Sequence, residues 1–412
     1  MTADGGKMSD HASMKRKNQL SILRHIRDAG PITRVNLKKS SGLGWSTITT
    51  STKELISKGI ITELGSVSTG VVGRRPVELD LNRRKNFVLG LRLGGMLVRA
   101  VLVDVKGIVV QELQIPVNAQ GTTREILDTL LRAGKQILRR RSVGNSSLAG
   151  IGIAAPGAVD FFTGVCYYSP HHPQWKDVPL KKTFEQAFNV SCFVDHTYNC
   201  FALSEKLFGL GRGLDNFVGV LMGTGLSAGL VIDGEVYRGA NCCAGEFGHT
   251  NIDPDGPLCA CGNKGCVEAY VSGPAIACLA SKEAAKRNSL IRTLAGGDVN
   301  RITAETLEQA ARRDDALALD IFSRMGSVLG LALSNLINVF NPQSIILGGR
   351  LANASEFFLP SCLETLEKRV WHISTRDLKV SQLQNSAVLG AAALVLQQLF
   401  NTGQILQRPL RT

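Results

Sequence analysis

The apolar positions repeat with one rhythm at the start of the chain and another after about residue 86. In residues 17–29, Leu20, Leu23 and Ile26 fall at helical spacing, and Gly30-Pro31 stops the helix. Thr33 is placed to cap a short helix through Lys39, with Val35 and Leu37 apolar, and Ser40-Ser-Gly-Leu-Gly44 reads as a turn. A further helix is expected over 45–59. Two helices joined by a short Gly-containing turn predict a helix-turn-helix. Strand-like Ile60–Leu64 and Val77–Leu81 then flank a loop with Gly73-Arg74-Arg75-Pro76, the pattern of a wing.

From residue 86 strands and helices alternate. Phe87–Leu91 and Val98–Asp104 predict a hairpin that Ile108–Leu113 extends. Residues 123–141 carry an apolar stripe of Ile126, Leu127, Leu130, Leu131 and Ile137. Leu148–Ala154 reads as a buried strand, and Phe193–Asp195 precedes a helix over Tyr198–Phe208. A second cycle starts at Phe217–Met222, passes Gly223-Thr224-Gly225 and the strand Ala228–Ile232, and continues into a long apolar helix over 319–340. Ser344–Gly349 and a last helix, Ala387–Phe400, complete it. The expected fold is α/β, with two similar lobes around a cleft and a ligand outside the carboxyl ends of the strands. The expected domains are a flexible tail (1–16), a winged helix-turn-helix (17–82) and a main domain (86–412). Its first lobe would cover about 86–200 plus the C-terminal helix, and its second about 201–386.

Charge sharpens this division. The 412 residues carry a formal net charge of +13. Residues 1–85 hold 16 Lys/Arg against 7 Asp/Glu, whereas the remainder hold 31 against 27. An excess confined to a predicted helix-turn-helix points to a polyanion, double-stranded DNA. The second helix would enter the major groove with Ser46, Thr47, Thr49, Thr50 and Ser51. Arg74 and Arg75 at the wing tip would enter the minor groove. No apolar run approaches the roughly 20 residues of a membrane span, and the N-terminus has no apolar signal segment. Cytoplasmic residence, reduced cysteines and no membrane partner are therefore expected. Cys166, Cys192, Cys200, Cys278 and Cys362, among apolar neighbours, read as buried hydrophobes.

The remaining chemistry clusters late in the chain. Gly245-Glu246-Phe-Gly-His249 is followed after nine residues by Cys259-Ala-Cys261-Gly-Asn-Lys-Gly-Cys266-Val-Glu268. Three thiols and an imidazole form a tetrahedral Zn²⁺ set, and four protein ligands close the coordination sphere, so the ion would be structural. Glu246 and Glu268 flank this loop and suit the hydroxyls of a sugar, which donate to carboxylates.

The pattern Glu246-Phe-Gly-His249 with Cys-X-Cys-Gly-X-X-Gly-Cys-X-Glu resembles the signature of the ROK family of repressors, open reading frames and kinases. The resemblance covers nearly the whole chain, and the winged helix-turn-helix is similar to that of the family's glucose, xylose and N-acetylglucosamine repressors. It implies a bilobal actin-like, ribonuclease-H-type fold and zinc on His249, Cys259, Cys261 and Cys266. It also implies sugar contacts from Glu246, His249 and Glu268, with one ring nitrogen of His249 serving each ligand.

Departures from the family's kinases bear on activity. The kinases open with Asp-Ile-Gly-Gly-Thr-Lys; the matching stretch here is Arg92-Leu-Gly94-Gly95-Met96-Leu97. Their Asn-Asp, with Asp as general base, is matched by His196-Thr197, and a threonine cannot take a proton near neutral pH. His196 and Thr197 remain candidate sugar contacts. Asp195 is a substitute base only if the loop shifts. Gly94, Gly95, Gly223, Thr224, Gly225, Gly348 and Gly349 would form a vestigial nucleotide site. His171 and His172, where the kinases have a sugar-contacting Asn, are further candidates. The expectation is a non-enzymatic, sugar-responsive transcriptional regulator, a repressor acting as a homodimer or homotetramer on an operator, with a sugar or sugar phosphate as effector. The competing reading is an ATP-dependent sugar kinase for hexoses or N-acetylhexosamines.

Overall fold

The computed structural model describes residues 10–66, 76–84, 86–140, 147–170, 172–374, 377–381, 383 and 386–407. The N-terminal head comprises α1 (Asp10–Ala29), β1 (Ile32–Thr33), α2 (Arg34–Ser41), α3 (Trp45–Ser57), β2 (Ile61–Ser66) and β3 (Val77–Leu81). The first helix starts at Asp10 rather than Lys17. Its early residues have partners: Lys15 Nζ lies 2.7 Å from Glu54 Oε1 on α3, and Arg16 donates to the Thr402 carbonyl. Thr33 caps α2 by accepting from the Asn36 N–H at 3.2 Å, and Gly42, at φ +69°, ends it. Ile22, Leu23, Ile26, Leu37, Ile48, Leu55 and Leu79 are fully buried. β3 pairs antiparallel with both β1 and β2, so the predicted wing hairpin becomes a three-stranded sheet.

The main domain contains β4 (Phe87–Leu93), β5 (Leu97–Asp104), β6 (Val109–Pro116), α4 (Thr123–Arg140), β7 (Leu148–Ala155), β8 (Ala158–Val159), β9 (Val165–Tyr168), β10 (Lys176–Pro179), α5 (Leu180–Phe188) and β11 (Cys192–His196). It continues with α6 (Thr197–Phe208), β12 (Phe217–Met222), β13 (Leu226–Ile232), β14 (Glu235–Tyr237), α7 (Glu268–Val271), α8 (Gly273–Ala284), α9 (Leu290–Leu294), α10 (Ala304–Ala311), α11 (Ala316–Phe340), β15 (Ser344–Gly348), α12 (Ser355–Arg369), β16 (Leu378–Val380) and α13 (Ser386–Asn401).

Two five-stranded sheets carry it, in the orders β11-β7-β4-β5-β6 and β14-β13-β12-β15-β16. Renumbered within its own sheet, each has the same order, 3-2-1-4-5: an antiparallel three-strand meander with a parallel strand beside its first strand and a fifth strand beyond that. That repetition matches the duplicated halves and the actin-like class expected from the sequence.

The chain divides into two compact units. One comprises 1–157, 161–194 and 391–412, so it includes the head and the first sheet up to Val194 of β11; the other comprises 158–160 and 195–390. The chain passes between them at Val194/Asp195, earlier than residue 200, and within α13 at Gly390/Ala391. In the second unit α11 is long and apolar enough to cross a membrane by composition. Here it is a core helix: Phe322, Leu329 and Leu333 are fully buried in the cluster that also holds Phe358 and Cys362 of α12. Cys166, Cys192, Cys200 and Cys362 are buried as expected, but Cys278 is exposed. It lies off the inward stripe of α8, which is Ile276, Ala280 and Ala284.

Candidate functional site

The loop between β14 and α7 carries most of the candidate chemistry. Gly245 precedes the turn Phe247–His249 at φ +106°, and a Cβ there would sit 2.0 Å from the Ala228 carbonyl oxygen. Only glycine fits that conformation and approach. Two isolated bridges, Asn251 with Cys266 and Leu258 with Lys264, fold the cysteine loop back on the histidine turn. As a result, one donor atom from each of His249, Cys259, Cys261 and Cys266 lies within 4.8 Å of all the others.

The spacing can be tested against an ion. Tetrahedral coordination at a metal–sulfur length of about 2.3 Å places two sulfurs about 3.8 Å apart, and a sulfur and a nitrogen about 3.6 Å apart. Cys261 and Cys266 Sγ are 3.7 Å apart, and Cys259 Sγ is 3.8 Å from His249 Nδ1. The residues fit one tetrahedral ion.

His249 has a second neighbour. Its Nε2 lies 3.9 Å from Glu246 Oε2, so the two ring nitrogens face different groups. The other oxygen of Glu246 accepts from the Tyr198 hydroxyl at 3.3 Å. Tyr198 is buried; burial, followed by the negative charges of Glu246 and Asp195, holds its phenol far above the ordinary value, so it remains a donor. The exposed Cys243 is raised by desolvation first and by Glu246 second.

Glu268 opens α7, and its Oε2 accepts the Leu226 N–H at 2.8 Å. The Leu226 carbonyl lies against Gly248, beside His249, where a Cβ would meet it at 2.2 Å. Leu226 thereby links the turn bearing Glu246 and His249 to Glu268. The glycine turn belongs to the same assembly. Gly223 N–H donates to the Gly225 carbonyl at 2.9 Å, and a Cβ on Gly225 would meet Glu268 Oε2 at 2.7 Å. Thr224 is exposed at its tip. Gly348 pairs with Leu221 in parallel register, so Gly348 and Gly349 end β15 where Gly223–Gly225 leave β12. Gly94 and Gly95 belong to the other unit, in the β4–β5 turn, where Gly94 N–H donates to Leu97 O at 2.9 Å.

Two expected sugar contacts, His196 and His172, need correction. His196 is buried; its Nε2 lies 3.1 Å from the Val159 carbonyl oxygen and its ring stacks on Tyr198 with centroids 4.8 Å apart. It backs Tyr198 rather than presenting an edge to a ligand. His172 is also buried, with Nε2 3.2 Å from the Gly94 carbonyl oxygen. It serves to fasten the β4–β5 turn. His171 lies outside the described residues. Thr197 is half-buried as the first residue of α6 and offers a hydroxyl but no carboxylate.

Asp195 is not a spare base. Arg238 holds Oδ2 with Nε at 2.9 Å and a terminal nitrogen at 2.8 Å, while Oδ1 accepts from His196 N–H and Asn199 Nδ2, each at 2.8 Å. Arg92 stands across from Arg99 in the β4–β5 register. Sequence reasoning missed Tyr198 and Arg238. The Asp195–Asn199 spacing of four at a helix start is a local signal, but nothing local identifies Arg238.

In the head, the outward stripe of α3 is Ser46, Thr50, Lys53 and Ser57, with Thr47 half-buried beside it. Thr49 is withdrawn from the expected contacts: its hydroxyl oxygen is buried and has no hydrogen-bond partner among the described residues. Ser51 and Thr52 are buried too, because they continue the inward stripe of Ile48 and Leu55. Lys53 is exposed on the outward stripe with Ser46 and Thr50. Arg74 and Arg75 lie outside the described residues.

A family model described as the ROK family matches residues 88–398. The chain belongs to the ROK family. It is 30% identical over 398 residues to the xylose repressor of Caldicellulosiruptor bescii, covering 96% of this chain and 99% of that one. It is 30% identical over 406 residues to the DNA-binding transcriptional dual regulator NagC of Escherichia coli K12, covering 96% of each. Among solved structures, a ROK family transcriptional regulator, a homologue of the Escherichia coli MLC protein, superposes with a TM-score of 0.83 at 30% identity, covering 96% of this chain and 98% of that one. A ROK family glucokinase from Streptomyces griseus, in complex with glucose and AMPPNP, gives 0.67 at 29% identity over 76% of this chain and all of its own.

Proposed function

We infer that this ROK protein is a sugar-responsive transcriptional repressor that binds double-stranded operator DNA through its head. The observation that carries this is the joining of a head of three helices and a three-stranded sheet to the ROK domain in one chain, matched over 96% of its length by a xylose repressor and by the DNA-binding regulator NagC. The protein is a regulator and not one of the family's kinases. Support comes from Asp195, whose lone pairs are taken by Arg238, Asn199 and a backbone N–H, and from Thr197, which cannot serve as a base. The surviving glycine turns are accounted for by backbone hydrogen bonds and close packing.

The sugar reading rests on Glu246, His249 Nε2 and Glu268. Glu246 and Glu268 each keep accepting capacity for a hydroxyl, and Tyr198 fixes the rotamer of the first by donating to it. We take the metal to be Zn²⁺ because three thiols and one imidazole are its preferred donors, and four protein ligands make the site structural. His249 would hold the ion through Nδ1, which would leave its Nε2, beside Glu246, for the ligand. Regulation requires the effector to bind one conformation more tightly than the other. A homodimer or homotetramer would present paired heads to an inverted repeat.

Xylose and N-acetylglucosamine, for which the relatives are named, are the first effectors to test, each with its phosphate esters. The assay is DNA affinity of the full chain, on a duplex selected from a random pool, with and without each compound. One of them should change affinity at least tenfold. If none across a broad sugar panel changes affinity or melting temperature, the effector reading fails. ADP release above about one turnover per second would restore the kinase reading.

A further inference from the structure

The outer face of α4 carries a row of exposed cations along its second half. Elsewhere several exposed cations on or just after a helix pair with an acid three or four residues away: Lys286 with Glu283, Arg312 with Glu308, Arg324 with Asp320 and Lys368 with Glu364; at the start of α4 Arg124 does the same with Asp128, at 3.9 Å. On α4, Arg132, Lys135 and Arg139 are exposed, fall on one face at i, i+3 and i+7, and have no acidic partner among the described residues. They line a shallow groove with Asp128, Leu131 and Gln136. The opposite face is committed to the sheet: Ile126, Leu130, Ala133 and Ile137 are buried, and Gly134 lies against Leu89 and Phe188.

The topology says where this stripe leads. β6 leaves the turn after Asp104 and ends at Pro116, opposite Leu97. α4 then returns along the sheet, and β7 restarts beside Phe87, which itself pairs with Asp104. At about 1.5 Å per residue an 18-residue helix spans about 27 Å, close to the length of the eight-residue β6. The Arg139 end of α4 therefore lies at the Phe87–Asp104 end of the sheet. The head is fastened to that same end: Lys106, just after Asp104, pairs with Asp80 of β3, and Arg83 pairs with Asp104.

We propose that Arg132, Lys135 and Arg139 bind the phosphate backbone of the operator DNA flanking the segment held by the head. Three unpaired cations on one helical face suit a polyanion, and DNA is the polyanion that the adjoining head brings to this end of the molecule. The stripe contributes affinity and footprint length without reading bases. This rests on the DNA-binding reading given above.

The test uses the full chain, a duplex of about 40 base pairs that the wild type selects from a random pool, and the same sequence trimmed to about 20. The wild type should bind the longer duplex more tightly. The triple variant Arg132→Gln/Lys135→Gln/Arg139→Gln should lose that preference. Its salt slope on the long duplex should fall by about 2 to 3, as expected for three phosphate contacts. Its melting temperature and metal content should match the wild type. If the wild type prefers the longer duplex but the variant keeps the same slope and preference, the proposal is overturned while the DNA reading stands. If the variant instead loses retention by phosphatidylglycerol vesicles with DNA binding unchanged, the stripe serves an anionic membrane surface and the proposal is equally overturned. If the wild type selects no duplex at all, the regulator reading fails and this one with it.

Discussion

Lys106 sits in the turn between β5 and β6 and reaches into the head. Its Nζ lies 2.7 Å from Asp80 Oδ1 and donates to the Gly30 carbonyl at 3.2 Å. Asp80 is 7% exposed, and the same oxygen accepts the Leu81 N–H at 2.8 Å. Lys106→Met keeps the aliphatic stem and removes the ammonium, leaving a buried carboxylate with one neutral donor. Breaking a fully buried pair costs about 3–5 kcal/mol. The Lys106 side chain is 18% exposed, so water screens part of the interaction and about 2–3 kcal/mol is expected here. At 1.4 kcal/mol per factor of ten, that raises the undocked or unfolded population roughly 30- to 150-fold. The assay is urea unfolding of the wild type, Lys106→Met, Asp80→Asn and the double variant as a thermodynamic cycle. The double variant no longer buries an unpaired charge, so it should recover at least about 1 kcal/mol relative to the sum of the singles. A coupling below about 0.5 kcal/mol would refute the reasoning, because the pair would then be a surface contact and not a fastening between head and sheet.

Other predictions follow from the site and the head. Cys261→Ser should lower bound zinc per chain, read by atomic absorption, and abolish any sugar-induced melting shift; unchanged metal content would exclude Cys261 as a ligand. Thr50→Ala should weaken DNA binding, whereas Thr49→Val should leave it unchanged and keep or raise stability, since it removes a buried hydroxyl without a partner among the described residues. Equal effects of the two substitutions on DNA affinity would contradict the assigned face of α3. Glu205 is buried, and desolvation raises its pKa despite bonds from Ser381 and the Leu210 N–H. With the folded value above the ordinary 4.5, its contribution is fully present below that pH and is lost as pH rises through the folded value. Glu205→Gln should flatten that decline in melting temperature; an unaltered pH profile would mean that Glu205 is not its source.

Much of the fold was legible in the order of residues. Helix and strand periods, Thr33 as a cap and the duplicated strand–turn pattern are local properties, and they anticipated the first sheet and three strands of the second, but not its short edge strands β14 and β16. The cysteine loop was legible for a similar reason. Its ligands lie within 18 residues of one another, and glycines at positive φ, such as Gly265 at +67°, close the loop locally. The errors came where a hydrogen-bonding side chain has two possible fates. A hydroxyl on α3 can face DNA or the core, and only the packing of Ile48 and Leu55 decides that Thr50 points out and Thr49 in. A histidine can meet a ligand or a carbonyl, and only the course of distant backbone turns His196 to Val159 and His172 to Gly94.

The sequence by itself determined the family and the residues of the His/Cys cluster that could hold a metal, because each resides in residue identity or short spacing. Tertiary structure alone decided that Asp195 is spent on Arg238, that Tyr198 braces Glu246, that Lys106 fastens the head to the first sheet and that the cations of α4 run toward it. Those facts depend on pairings across 43, 48 and 26 residues and on the direction in which a helix returns along its sheet. Burial and charge pairing arise only once the chain has closed on itself, so no local window contains them.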